Sequence, residues 1–264
     1  MEWLTLLLGT VLLRPYVFLF LAFYLTIAIL NMGIIRSIIF TVLAYCVAFL
    51  SEYSSTRNGF PYGFYSYIET TRGQELWISN VPFMDSLSYS FLAYVAYTMA
   101  LFIWSPLKIN RWDIRLVESD RVKSSLKVVF SGALFFMIMD VIIDPVAFLG
   151  DRWFLGKIYT YKEQGAYFNI PLTNFAGWLI VGTTILYCFT QLDKWLSQIF
   201  PHKQYNVPAQ ALLGPGLYFS VLFFNLAVTF YIGEWALGAC GISLVLALIW
   251  LLNQKIRNPE KFCL

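Results

Sequence analysis

Residues 128–149 read VVFSGALFFMIMDVIIDPVAFL. Apart from Asp140 and Asp144 the stretch carries no charge, and its length suits a helix crossing a hydrocarbon core of roughly 30 Å. Comparable runs recur along the chain at Pro15–Ile35, Ser37–Ser51, Ser86–Leu107, Asn174–Leu192, Ala211–Ile232 and Trp235–Asn253. The second is short and predicts a helix that continues past Glu52. Hydrophobic residues make up 59% of the 264 and charged residues 12%, against about 25% charged in a typical soluble domain. The expectation is therefore a single all-α integral membrane domain, a polytopic bundle of about seven spans, with six to eight compatible with the pattern.

Residues 3–13 are apolar but too few to cross as a regular helix. No Lys or Arg precedes them, so the opening MEWLTLLLGTVLLRP lacks the basic segment of a signal peptide and reads as an interfacial lead-in. With seven spans the loops alternate sides. One side receives 12 basic residues and the other 6. By the positive-inside rule the C-terminus is expected in the cytoplasm and the N-terminus outside. The same alternation brings Glu52, Asp85, Asp140 and Asp144 to the less basic face, together with loops 53–82 and 150–173. Glu52 is expected within one bridging water of the aspartate pair.

Several chemistries lack support. Cys46, Cys188, Cys240 and Cys263 are far apart and read as small core residues, and the single histidine is His202, in a polar loop. No metal is expected from so little thiolate and imidazole. No glycine-rich phosphate loop or dinucleotide fingerprint is present, so no cofactor is expected. Nor is a nucleic-acid partner.

Asp140 and Asp144 are the informative pair. An intramembrane carboxylate costs at least a few kcal/mol by insertion scales. At i,i+4 the two share one helix face, and Pro145 predicts a helix end close behind them. Burial and like-charge repulsion leave a neutral acid beside an anionic base, a pair able to give a proton and to stabilise a cation. A structural alternative has Asp144 capping the helix or pairing with Arg152, and Asp140 tying down a neighbouring helix. The adjoining loops NGFPYGFYSYIE (58–69) and GAYFNIPLTNFAGW (165–178) are dense in aromatics, Gly and Pro. Part of this is the interfacial aromatic belt. Aromatic faces also suit a conjugated ligand and stabilise a carbocation. Asn174 is expected as the N-cap of the following helix.

MDVIIDPVAFLGDRWFLGKIYTYKEQGAYFNIPLTNFAGWLIVG (139–182) resembles the signature of a membrane-integral carotenoid biosynthesis family, that of the gamma-carotene 1',2'-hydratases and bisanhydrobacterioruberin hydratases. The upstream EYSSTRNGFPYGFYSY and NVPFMDSLSYSFLAYVAY are similar to it as well. The segment GDRWFLGKIYTYKEQG is longer and more basic than that pattern. The resemblance implies addition of water across the terminal C=C of a linear (psi) carotenoid end group, giving a tertiary alcohol without cofactor. It implies Asp140 and Asp144 as the acid/base pair in unassigned order, supported by Glu52. Tyr62, Tyr65, Tyr167 and Trp178 would line the polyene slot, Asn169 and Asn174 would orient water or the loop, and Asp85 would join the substrate-binding set. The implied partners are a linear carotenoid or related polyene, water, membrane lipid and other enzymes of the same pathway. Two rivals remain at this stage. One is a membrane lycopene-type cyclase, which protonates the same alkene but ends by losing a proton. The other is a non-catalytic isoprenoid or lipid transporter, although no second copy of the Asp-Pro motif marks an internal repeat.

Overall fold

In the computed structural model, which describes residues 2–117, 119–200, 205 and 207–263, the chain is a helical bundle with short β-ribbons at its two ends. In order the elements are α1 (Glu2–Leu13), α2 (Pro15–Asn58), β1 (Tyr65–Tyr67), β2 (Trp77–Ile78), β3 (Val81–Pro82) and α3 (Phe83–Trp104). They continue with β4 (Leu107–Asn110), β5 (Asp113–Leu116), α4 (Asp120–Lys123), α5 (Leu126–Phe148) and β6 (Tyr159–Tyr161). Three helices complete the chain: α6 (Leu172–Ile199), α7 (Leu213–Tyr231) and α8 (Trp235–Arg257). His202 and Lys203 lie outside the described residues.

Six helices are long and apolar enough to cross a membrane. One of them, α2, is double. Its 44 residues would reach roughly 66 Å as one straight helix, about twice the hydrocarbon thickness. Gly33 breaks it with φ 80° and ψ 166°, a conformation glycine adopts without steric cost. The Tyr24 hydroxyl hydrogen-bonds Thr41 Oγ1 at 2.8 Å, and its ring packs on Phe40. Residues nearly equidistant from Gly33 thus touch, so the two arms fold back as a hairpin. The described residues then hold seven long helical segments, compatible with six to eight spans, and the second arm runs to Asn58 as its sequence suggested. Helix α1 is 12 residues long, too short to cross. It leaves Trp3, Leu4, Leu8 and Leu12 exposed and holds Leu76 N through the Thr10 hydroxyl (2.9 Å), as a helix lying in the interface would.

Helix α3 is the hub, buried along nearly its whole length between both arms of α2, α5 and α7. Small residues let the helices approach: a Cβ at Gly182 of α6 would meet Phe136 and Ala133 of α5, and one at Gly214 of α7 would meet Thr98 of α3. The ends of α2 and α5, the starts of α3 and α6, and the ribbons β1–β6 and β2–β3 gather at one end of the bundle. The Gly33 bend, the β4–β5 ribbon and the start of α7 gather at the other, where Arg36 pairs with Asp193 at 2.6 Å.

Helix α5 runs through Pro145 and ends at Phe148, close behind the aspartates as expected. A proline in the final turn forfeits one hydrogen bond, to the Val141 carbonyl, and the helix then ends within a turn. Cys46, Cys188 and Cys240 are exposed on the outer faces of their helices rather than buried in the core. In a membrane bundle the outer face meets lipid, where a small apolar thiol costs nothing. Asp113 in β5 is half-buried; it pairs with Arg115 and accepts from Ala209 N at 2.9 Å.

Candidate active site

Asp140 and Asp144 lie on successive turns of α5 and are both buried. The Asn174 amide spans them, with Nδ2 donating to Asp140 Oδ2 at 2.6 Å and to Asp144 Oδ2 at 3.1 Å. Asn174 is therefore not the N-cap it was expected to be. Helix α6 begins at Leu172 with Pro171 before it, which places Asn174 a turn inside with its side chain free to act as a clamp. Arg152 does not pair with Asp144 either; it is engaged by Glu234 and the Ile232 carbonyl.

The remaining contacts of Asp144 come from the ribbon. Strand β1 is Tyr-Ser-Tyr and β6 is Tyr-Thr-Tyr, paired antiparallel with Tyr65 opposite Tyr161 and Tyr67 opposite Tyr159. Side chains alternate along a strand, so this register puts four tyrosines on one face. Tyr159 donates to Asp144 Oδ1 at 2.5 Å and Tyr161 to Oδ2 at 2.8 Å. Tyr67 donates to Glu52 Oε1 at 2.8 Å, and Ser86 donates to Glu52 Oε2. Burial, then the neighbouring carboxylates, pushes the Tyr67, Tyr159 and Tyr161 phenols well above their ordinary range, so they remain O–H donors. Asp144 thus accepts from three donors. Asp140 accepts from one, and its Oδ1 has no hydrogen-bond partner among the described residues.

These groups surround a cavity of about 120 Å³. The aspartate pair, Asn174, Glu52, Tyr62 and Tyr65 all line it. Trp178 closes it further along α6, stacked on Tyr89 with centroids 4.6 Å apart and tilted against Phe136 at 4.5 Å. Gly177 lets the loop 59–63 dock here, since a Cβ would strike Tyr62 and the Pro61 backbone. Asp85 also borders the cavity but is committed to Arg14 at 2.7 Å, which in turn holds Glu75 at 2.9 Å. Breaking such a buried ion pair by removing one partner costs about 3–5 kcal/mol. That triad locks the lead-in helix and the loop before α3 over the site.

Not every expected residue arrives. Tyr167 packs on Phe168 and Phe175 away from the cavity, and Asn169 is exposed, bonded through Oδ1 to Gln164. The loop turns on itself there: Gly165 N donates to the Asn169 carbonyl, with Phe168 and Asn169 at positive φ. Conversely, sequence reasoning missed Tyr67, Ser86, Tyr89, Tyr159 and Tyr161. The two Tyr-x-Tyr triplets were the available signal for the ribbon. A larger cavity of about 360 Å³ lies at the opposite end of the bundle and includes none of the expected residues. Among the described residues its one carboxylate is Asp193, which Arg36 engages.

Among the described residues no group of three His, Cys, Asp or Glu side chains is placed to hold a metal ion. A family profile described as carotenoid biosynthesis protein matches residues 1–249. No curated protein and no solved structure matches the chain.

Proposed function

The chain belongs to the carotenoid biosynthesis protein family, and from that premise we propose that it is a hydratase acting on the terminal C=C of a linear carotenoid end group. One observation carries the reading: a fully buried carboxyl, Asp140, has a free oxygen in a cavity of about 120 Å³, beside a second carboxylate saturated with donors. That volume is well below the 300–1,000 Å³ of a typical ligand pocket. It suits the branched end of a chain rather than a whole polyene.

The hydrogen bonding supports one division of roles. Three donors hold Asp144 as the anion, and Asp140 carries the proton the pair shares. The alkene π electrons take that proton at the less substituted carbon, leaving a tertiary cation at the other. Asp144 and the faces of Tyr62, Tyr89 and Trp178 stabilise the cation, as aromatic faces do for charge excluded from water. Water then adds at the cationic carbon, and its surplus proton returns to the Asp140 carboxylate. Glu52, oriented by Tyr67 and Ser86, is placed to hold the attacking water. Alkene plus water gives tertiary alcohol, with every proton accounted for by side chains of this chain.

Expression in a cell that accumulates a linear carotene tests the reading. Products heavier by one or two waters support it, while an isomer of unchanged mass makes the protein a cyclase. The tyrosines give a graded test. Tyr159→Phe and Tyr161→Phe each remove one hydrogen bond to a charged group, worth about 1.5–3 kcal/mol, so each is expected to slow hydration by roughly ten- to a hundredfold by that figure. A double variant no slower than either single one would contradict the role given to Asp144.

The 12-to-6 distribution of basic residues leads us to place the site in the outer half of the membrane. Asn110→Cys, in the exposed β4–β5 ribbon, is then expected to resist a membrane-impermeant thiol reagent added to intact cells and to react after lysis. Reaction in intact cells would invert the topology and leave the site chemistry untouched.

A further inference from the structure

A second cavity, also of about 120 Å³, adjoins the first. Six residues line both: Asp85, Ser88, Leu92, Ile143, Ala147 and Ile158. On α5 the sequence of positions is telling. Asp140, Ile143, Asp144 and Ala147 are spaced i, i+3, i+4, i+7 and form one stripe along the helix. The aspartates border only the inner cavity, while Ile143 and Ala147 border both. The stripe therefore leads from the acid pair past a small residue into the outer space.

The outer cavity changes character. Val17 and Phe20 of the first arm of α2 face Val221 and Asn225 of α7 across it, with Trp153 at its edge. Toward the surrounding lipid the boundary is made of rings. Tyr16 stacks on Phe224 with centroids 5.0 Å apart and meets Trp153 at 6.1 Å and Phe154 at 5.7 Å, and Phe154 is exposed. On the same arm Leu19 and Phe23 are exposed on the outer face of the bundle. At the bundle end the Arg14–Glu75–Asp85 triad borders both spaces, Asp85 lining the two and Arg14 the outer one.

We infer that the outer cavity seats the units next to the reacting end group of an open-chain polyene, which enters sideways from the lipid between the first arm of α2 and α7. Ala147 is the neck that lets the end group reach Asp140. The inference rests on the hydratase reading for the identity of the ligand, but its geometry concerns binding alone. The two cavities together hold only the end of a long chain. The rest stays in lipid, so recognition depends on the terminal units and tolerates variation at the far end.

The test uses the purified full-length protein in lipid nanodiscs, with lycopene as the probe. A polyene held in one chiral setting acquires circular dichroism in its visible band, which reads binding independently of turnover. The wild type is expected to induce such a band. Val221→Trp, filling the outer cavity, and Ala147→Phe, filling the neck, should each weaken polyene binding by roughly ten- to a hundredfold, the range expected for overpacking a fitted site. Val221→Met should give a smaller loss and serves if the larger variants do not fold. Variants that elute as the wild type and bind the polyene with unchanged affinity would overturn the inference. If the wild type binds lycopene but forms no alcohol, the hydratase reading fails, and the loss of the band in the variants still upholds the entry route.

Discussion

Asp140→Asn is expected to abolish hydration while leaving the protein folded and inserted. The amide keeps the size of the carboxyl, and its oxygen can still accept from Asn174 Nδ2, now at 2.6 Å from Asp140 Oδ2. What it lacks is a proton to give. General acid–base groups contribute about a hundred- to ten-thousandfold. The loss here belongs at the upper end, because an unactivated alkene is a weak base and needs a strong proton donor. The comparison is hydroxycarotenoid yield per amount of protein, with Glu163→Gln on the exposed β6–α6 loop as the control. Near-normal yield at normal protein levels would make Asp140 a structural residue.

Asp144→Asn is expected to fail differently. Asp144 receives Tyr159 on one oxygen and Tyr161 with Asn174 on the other, so an amide nitrogen must face a donor wherever it points. Hydration should fall by about a hundred- to a thousandfold by the usual range for such groups. Stability should fall too, by about 1–3 kcal/mol for the buried donor left unmatched. A lower melting temperature in Asp144→Asn beside an unchanged one in Asp140→Asn would separate the anchored carboxylate from the proton carrier. Equal stability in the two variants would remove the distinction drawn between them.

The features legible in the sequence are those set by local period and by side of the membrane. Apolar runs of span length mark the helices because lipid leaves the backbone no other regular choice. The i,i+4 spacing of Asp140 and Asp144 fixes their common face whether or not the helix stops at Pro145. Alternation of spans carries Glu52 to the same end as the pair. The features that escaped depend on long-range pairing or on backbone detail. Strands β1 and β6 are three residues each and meet across a sequence gap that includes α3 and α5. Neither Tyr-x-Tyr triplet signals a strand by itself, and the segment that looked like a charged departure turned out to supply both phenols on Asp144. Asn174 resembled a cap because its residue type favours that position. Pro171, with φ preset near −66°, starts the helix instead and moves Asn174 inward to the acids. Tyr167 and Asn169 shared the aromatic, polar composition of a binding loop, but a tight turn through two residues of positive φ directs that loop away from the cavity.

The central claim is that Asp140 delivers a proton to an alkene which water then captures. Purified protein incubated with lycopene in ¹⁸O-labelled water tests it most directly, by mass analysis of the pigments. The account predicts an alcohol carrying one labelled oxygen for each end that reacts, formed by the wild type and absent with Asp140→Asn. An isomer with no labelled oxygen, or labelled alcohol formed equally by Asp140→Asn, would contradict it.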